Sequence, residues 1–267
     1  MGDLSVIVYE NGGKLPEQTV LSCIRKAFKL GFSTIALNVI VGDTELNSKK
    51  ALPKPILYDI PEQCVMEARS QNRRLRLLSR LSGKITDNQQ AHKLQHDTVS
   101  SDYDIIAAYP TTDGLLNSVI VHGGVDIIYY PLLERCTWPK YSSISFATSK
   151  GILFELPYTT LMADQRITAL KNMRRLTLRD KKGFIFSSNA TSPDMIRGPL
   201  DVSFLGHMLD LNADLSRRLV WDGPEAVIVH AETRGRKERG SVMTLLARSA
   251  PEGERWLVEA CLDVEPS

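Results

Sequence analysis

Gly183-Phe184-Ile185-Phe186-Ser187-Ser188-Asn189-Ala190 and, further along, Ala226-Val227-Ile228-Val229-His230-Ala231-Glu232-Thr233-Arg234 are the two stretches whose reading decides the fold. Each begins with a short apolar run and continues into polar residues, the pattern of a buried strand that ends in a loop. Read as neighbouring strands, they gather polar side chains at one end of a sheet. In an α/β barrel that end is the face on which sites are built, and the last two strands often hold phosphate there. The strand-end cluster expected from this reading is Ser187, Ser188, His230 and Glu232, with Glu155 and Asp201 as further ionisable members.

Outward from these two stretches, strand-like and helix-like segments alternate along the chain. Strands are expected at 4–9, 34–39, 75–81, 104–109, 125–130, 141–146, 184–187 and 226–230. Helices are expected at 16–30, 61–71, 88–100, 113–121, 160–178 and 199–209. Pro16 opens the first, Val20, Ile24, Ala27 and Phe28 form its apolar stripe, and Gly31 stops it. In 160–178 the stripe is Ile167, Leu170, Met173 and Leu176, with Lys171, Arg174 and Arg175 on another face. Eight strands, most followed by a helix, indicate a (β/α)8 TIM barrel of the α/β class. A doubly wound open sheet competes, but no GxGxxG or P-loop turn follows the first strand. The whole chain, 1–267, reads as a single domain, with a segment from about 241 onward packing on the barrel or trailing from it.

The chain is 43% hydrophobic and 24% charged, with a net charge of +2, values typical of globular proteins. No apolar run nears the roughly 18 residues that span a bilayer, and the N-terminus lacks the basic region of a secretory leader. Cys23, Cys64, Cys136 and Cys261 stand singly, so reduced thiols are expected rather than a zinc site. The charge is uneven. Arg166, Lys171, Arg174, Arg175, Arg179, Lys181 and Lys182 face one acid, Asp180, whereas the segment from Ser241 holds five acids and two arginines. A positive stretch of this kind attracts anions such as RNA phosphate, or it is a solvated helix face.

Catalytic patterns are sparse. Metallohydrolase barrels place His-x-His near the end of the first strand, where this chain has Val8-Tyr9-Glu10. His92 and His96 have the i,i+4 spacing that can grip zinc, but they lie before a strand, away from the face where barrel sites form. His122 precedes Gly123-Gly124, and a helix end suits it through the dipole. Arg197-Gly198-Pro199-Leu200-Asp201 has a proline that pre-forms a first helical turn and an aspartate facing its positive end. No nucleophile elbow or triad is present. No catalytic residue and no metal ligand is therefore assigned.

Several stretches together resemble a known family: Arg76-Leu77-Leu78-Ser79-Arg80-Leu81, Tyr103-Asp104-Ile105-Ile106-Ala107-Ala108-Tyr109-Pro110, Phe154-Glu155-Leu156, Ser187-Ser188-Asn189-Ala190, Arg197-Gly198-Pro199-Leu200-Asp201 and His230-Ala231-Glu232-Thr233-Arg234. In order and spacing they are similar to the roughly thirty-kilodalton TIM-barrel protein subunit of ribonuclease P and ribonuclease MRP. The resemblance implies a distorted barrel related to the polymerase-and-histidinol-phosphatase hydrolases. It also implies a non-catalytic subunit of a nuclear and nucleolar ribonucleoprotein that removes the 5′ leader of precursor tRNA and processes precursor rRNA. The RNA component, with its magnesium, would do the chemistry, and the chain itself would bind no cofactor. The implied partners are the ribonuclease P or MRP RNA, precursor tRNA in the assembled enzyme, a small RRM-like subunit and other ribonuclease P proteins, with no membrane. RNA contacts are then expected from Arg197, Arg234, Arg236, Lys237 and Arg239, with Lys171, Arg174 and Arg175 as second choices. The alternative is a metal-dependent phosphoesterase of the same barrel class.

Overall fold

The computed structural model describes residues 1–10, 12–48, 51–134, 138–178 and 181–235. In chain order its elements are β1 (Gly2–Glu10), β2 (Gly13–Lys14), α1 (Glu17–Lys29), β3 (Thr34–Val41), α2 (Asp43–Asn47), α3 (Glu62–Ser70), β4 (Arg76–Ile85), α4 (Asn88–His96), β5 (Ile105–Pro110), α5 (Asp113–His122), β6 (Ile127–Tyr129), α6 (Tyr141–Ser149), β7 (Leu153–Pro157), α7 (Arg166–Thr177), β8 (Phe184–Ser187), α8 (Pro199–Leu205), α9 (Ala213–Arg218) and α10 (Asp222–Gly235). The eight strands form one curled sheet in the order β2-β1-β3-β4-β5-β6-β7-β8, parallel except for the short β1–β2 pair. This is a distorted barrel of seven parallel strands, and strand direction gives it a floor at the strand starts and an upper rim at their ends.

Two expected strands are helices, and two strands, the short β2 and β7, went unread. Segment 226–230 lies within α10, where Val227, Ile228 and Ala231 are buried and Val229 is 53% exposed. That is helical spacing, and a run of four apolar residues cannot by itself distinguish it from a strand. Segment 141–146 forms most of α6, with Ser143, Ile144 and Ala147 buried and Tyr141 turned to solvent. The longer of the two unread strands, β7, has an apolar run that carries a charge at its centre, Glu155. In α7, Ile167 is 79% exposed and is not part of the buried stripe.

Among the described residues there is no eighth parallel strand, and the gap between β8 and β1 is filled by irregular backbone. At the lower end Phe186 N–H donates to Leu219 O (3.0 Å) and Gly2 N–H to Val220 O (3.3 Å). Higher up Ile7 N–H donates to Ala190 O (3.0 Å), forming a single parallel bridge between Val6 and Ala190. Buried backbone groups need such partners, so a two-piece plug replaces a ladder. An extra residue in β1 between Asp3 and Val6 shifts its register against β3. This bulge lets Leu4 pack inward against Ala36 while the adjacent Ser5 bonds the inward Asn38.

The apolar interior splits into two clusters. The larger lies between the sheet and its surrounding helices, and includes Val6, Ile24, Phe28, Ile35, Leu37, Leu81, Phe154 and Phe186. The smaller fills the lower barrel with Leu4, Ala36, Ile105, Ile127, Leu153 and Ile185, and α10 seals it from beneath with Val227, Ile228 and Ala231.

Candidate functional site

Above that apolar floor the barrel interior turns polar. Arg80, on the inner face of β4, and Glu155, on β7, are each 1% exposed and meet through two nitrogen–oxygen contacts, Nη2 to Oε2 at 2.7 Å and Nη1 to Oε1 at 2.5 Å. Arg80 Nη1 also donates to Leu4 O (2.8 Å) and Nε to Ser82 Oγ (3.0 Å). Ser82 Oγ donates to Asn38 Oδ1 (2.7 Å), Asn38 Nδ2 donates to Ser5 Oγ (2.9 Å), and Ser5 Oγ donates to Asn189 Oδ1. Asn189 follows β8 with φ +54°, a left-handed conformation that asparagine tolerates. The donors thus run in one direction from Arg80 to Asn189 and tie β1, β3, β4 and β7 to the residues after β8. Charge is balanced within the pair and each donor has an acceptor, the conditions under which a buried ion pair survives.

The seam next to this network holds an unusual carboxylate. Asp3 is fully buried, and its Oδ1 accepts from Ser188 N–H (2.9 Å) and weakly from Ser5 N–H (3.4 Å). Its Oδ2 has no hydrogen-bond partner. Burial pushes its pKa up to about 6, against the backbone bonds that lower it. Ser188 Oγ donates to Ser5 O (3.0 Å), so Ser188 holds both the main chain and the side chain of the seam. Ser187 Oγ is buried without a partner.

The motif His230-Ala231-Glu232-Thr233-Arg234 lies apart from Ser187 and Ser188, on the barrel floor beneath the starts of β5 and β6. Asp126, just before β6, is fully buried, and its Oδ1 accepts from the His230 ring at 2.8 Å. Arg234 Nε lies 3.0 Å from both Asp126 oxygens, and Nη2 donates to Asp104 O (3.0 Å). Glu232 pairs with Arg76 at 3.1 Å on the outer edge of the floor. Gly151, with φ +82°, allows His230 to come close, since a Cβ there would stand 3.0 Å from the imidazole Cδ2. The motif therefore clamps α10 across the barrel floor. With its side chain 11% exposed, Arg234 spends its guanidinium on the fold and not on an external phosphate.

The expected strand-end cluster is thus dispersed. Glu155 is inside the barrel, Ser187 and Ser188 are at the seam, Asp201 is in the first turn of α8, and His230 and Glu232 are on the floor. Arg197 is exposed on the upper rim, with Nε 3.4 Å from Met162 Sδ and its N–H donating to Tyr158 OH (3.3 Å). Lys84, in the inward phase of β4 and exposed at its end, stands on the same rim. Arg174 donates to Met208 O (2.7 Å) and pairs with Asp210 (3.3 Å), Arg175 lies over the Trp138 ring at 5.9 Å, and Lys171 is exposed. Arg236, Lys237 and Arg239 lie outside the described residues. Arg80, Asn38 and Asp126 were not singled out as site residues; the legible signal was a charge inside a buried alternating strand.

Among the described residues no group of three His, Cys, Asp or Glu side chains could hold a metal ion. The rings of His92 and His96 sit 4.7 Å apart on α4, and the His122 ring bonds Ser118 O (2.6 Å) at the end of α5. No described helix is long and apolar enough to cross a membrane.

With this geometry in view, comparison with known proteins is specific. The chain is 29% identical over 216 residues to ribonuclease P protein subunit p30 of Mus musculus, covering 79% of this chain and 80% of that protein. It is 27% identical over 237 residues to the probable ribonuclease P protein subunit 3 of Schizosaccharomyces pombe, covering 87% and 94%. Among solved structures it superposes with TM-score 0.61 and 13% identity on a chain from a cryo-EM structure of archaeal ribonuclease P with mature tRNA, covering 91% and 98%, which shows a shared fold. The family profile described as RNase P subunit p30 matches residues 2–236, and the chain belongs to that family.

Proposed function

We propose that this chain works inside the ribonuclease P ribonucleoprotein as a non-catalytic protein subunit, supporting 5′-leader removal from precursor tRNA through RNA contact and assembly with other subunits. The observation that carries this reading is the family match, which runs through the whole barrel from residue 2 to residue 236. The interior supports it, since the space where barrel chemistry would be assembled is occupied by the Arg80–Glu155 pair and its hydrogen-bonded chain. Magnesium belongs, on this reading, to the RNA component. The same subunit serves ribonuclease MRP and precursor rRNA, binds a small RRM-like protein, and works in the nucleus, including the nucleolus.

RNA contact is assigned to the upper rim around Arg197, with Arg236, Lys237 and Arg239 as further phosphate contacts and Lys171, Arg174 and Arg175 of α7 as secondary ones. Cations of this kind position RNA without reading sequence. The test is affinity purification of the tagged protein in mild salt, followed by sequencing of the co-purified RNA. Recovery of ribonuclease P or MRP RNA, with precursor-tRNA cleavage in the bound fraction, is the expected result. RNA-free protein that carries metal and hydrolyses phosphoesters would establish the phosphoesterase reading instead.

A further inference from the structure

Between Glu67 and Asp87 the chain carries five arginines, one lysine and no acid. Arg80 pairs with Glu155, Arg76 pairs with Glu232, and Lys84 stands on the upper rim. The other three, Arg69, Arg73 and Arg74, belong to the last turn of α3 and its connection to β4, at the level of the floor. Cations suit the negative end of a helix dipole. That explains Arg69 in the last turn of α3, and Lys26 and Lys29 in the last turn of α1, which packs beside α3. It does not explain Arg73, which lies past the cap residue Gln71 and outside the helix.

The backbone fixes where Arg73 stands. Asn72 takes a left-handed conformation (φ +50°), and Arg73 N–H donates back to Ala68 O (2.8 Å). Three residues on, Arg76 N–H donates to Ser33 O (2.8 Å), which ties this turn to the one between α1 and β3. The Arg73 side chain is partly buried, and its Nε and Nη1 are buried with no hydrogen-bond partner. Among the described residues it forms no ion pair. Buried donors are nearly always satisfied, and a guanidinium cannot shed its proton to escape the cost. Arg80 meets the same demand with a carboxylate facing its fork, whereas Arg73 has the donors and no acceptor. The acceptor that suits it is therefore an anion from outside the fold. Exposed Arg69, Arg74, Lys26 and Lys29 on the same turns and helix ends favour an anion of more than one charge. An arginine fork fits the oxygens of a phosphate two at a time.

We propose that Arg73 is the centre of a phosphate-binding site on the barrel floor, its guanidinium turning outward to give two N–H groups to phosphate oxygens beside Arg69 and Arg74. An RNA backbone supplies the phosphate. That source rests on the RNA-subunit reading, whereas the phosphate chemistry does not. With Arg197 on the rim, the protein then meets RNA at both ends of the barrel.

The experiment labels the arginines of the full chain with phenylglyoxal in chloride, acetate, inorganic phosphate or a short oligouridylate RNA, at one ionic strength, and maps the labelled sites by mass spectrometry. Phosphate and RNA should each protect Arg73 several-fold relative to chloride, and acetate should not. In Arg73→Met the slope of log affinity for the same RNA against log salt should fall by about one. Its Tm in chloride should be no lower than the parent's, because the substitution removes two unpaired donors. Equal labelling of Arg73 in all four solutions, or a lower Tm of the variant in chloride, would overturn the site. Acetate protection as strong as that of phosphate would assign the site to an acidic protein surface and overturn it as well. Protection by inorganic phosphate, with no protection by RNA and an unchanged slope, would remove RNA as the source. If the tagged protein recovers no RNA while phosphate still protects Arg73, the subunit reading fails and the phosphate site stands.

Discussion

Replacing Glu155 with methionine removes the carboxylate paired with a guanidinium that is 1% exposed. Arg80 keeps Leu4 O and Ser82 Oγ, but Nη2 loses its acceptor and the positive charge stays in the barrel without compensation. Breaking one side of a buried pair costs about 3–5 kcal/mol, which for a domain of this size lowers Tm by roughly 6–20 °C. Arg80→Met leaves Glu155 charged and buried and falls in the same range. The double variant removes both charges and fills the volume with apolar atoms, so it should cost less than the sum of the singles by more than about 2 kcal/mol. Urea denaturation of the parent, both singles and the double supplies the cycle. Additive costs, or a Glu155→Met penalty within the roughly 0.5 kcal/mol of an ordinary surface change, would refute the claim that this pair holds the barrel together.

Asp3 supplies a pH test with a definite sign. Its folded pKa of about 6 exceeds the usual 3.8, so the stability it allows is whole at low pH, is lost as pH rises between those values, and at neutral pH the cost is about 3 kcal/mol. Asp3→Asn keeps the acceptor for Ser188 N–H, and its Tm relative to the parent should climb through that window and then level off; a difference that does not vary with pH would sink the assignment. Gly151→Ala forces a side chain into a left-handed backbone and against His230, costing about 1–2 kcal/mol. Hydrogen exchange should show α10 loosening first, and unchanged protection there would contradict the floor clamp. Arg197→Ala should weaken RNA binding alike at all sequences and reduce the slope of log affinity against log salt by about one; an unchanged slope would remove Arg197 from the interface.

Legibility in the sequence followed length and cap chemistry. Helix α1 was readable because Pro16, a full apolar stripe and Gly31 agree over 13 residues. Segments 141–146 and 226–230 were not: Ile144-Ser145-Phe146 alternates as a strand would, and the apolar run 226–229 satisfies both periods, so only tertiary burial decides. That one error carried the site with it, because a helix across the floor and a strand end at the rim put His230 at opposite poles. The α/β barrel class survived because the remaining six strands were placed correctly and β7 replaced a misread one. The Arg80–Glu155 pair was half visible, as opposite charges embedded in two buried runs, but nothing local says that strands 75 residues apart in sequence face each other.

The two-piece plug at the seam makes the order of synthesis matter. β1 emerges first and its end pairs at once with β2, but the rest of that edge, from Gly2 to Ile7, finds its neighbours only in Ser188–Ala190 and Leu219–Val220. At about 5–20 residues per second the nascent chain carries that unpaired edge for roughly 10–40 s before the first partner is made. Throughout that interval the β1 edge is open to pairing with another chain, the exposure from which edge-to-edge aggregation starts. Translation speed and chaperone cover over the first seven strands should therefore govern the yield of this protein more than the stability of the finished barrel.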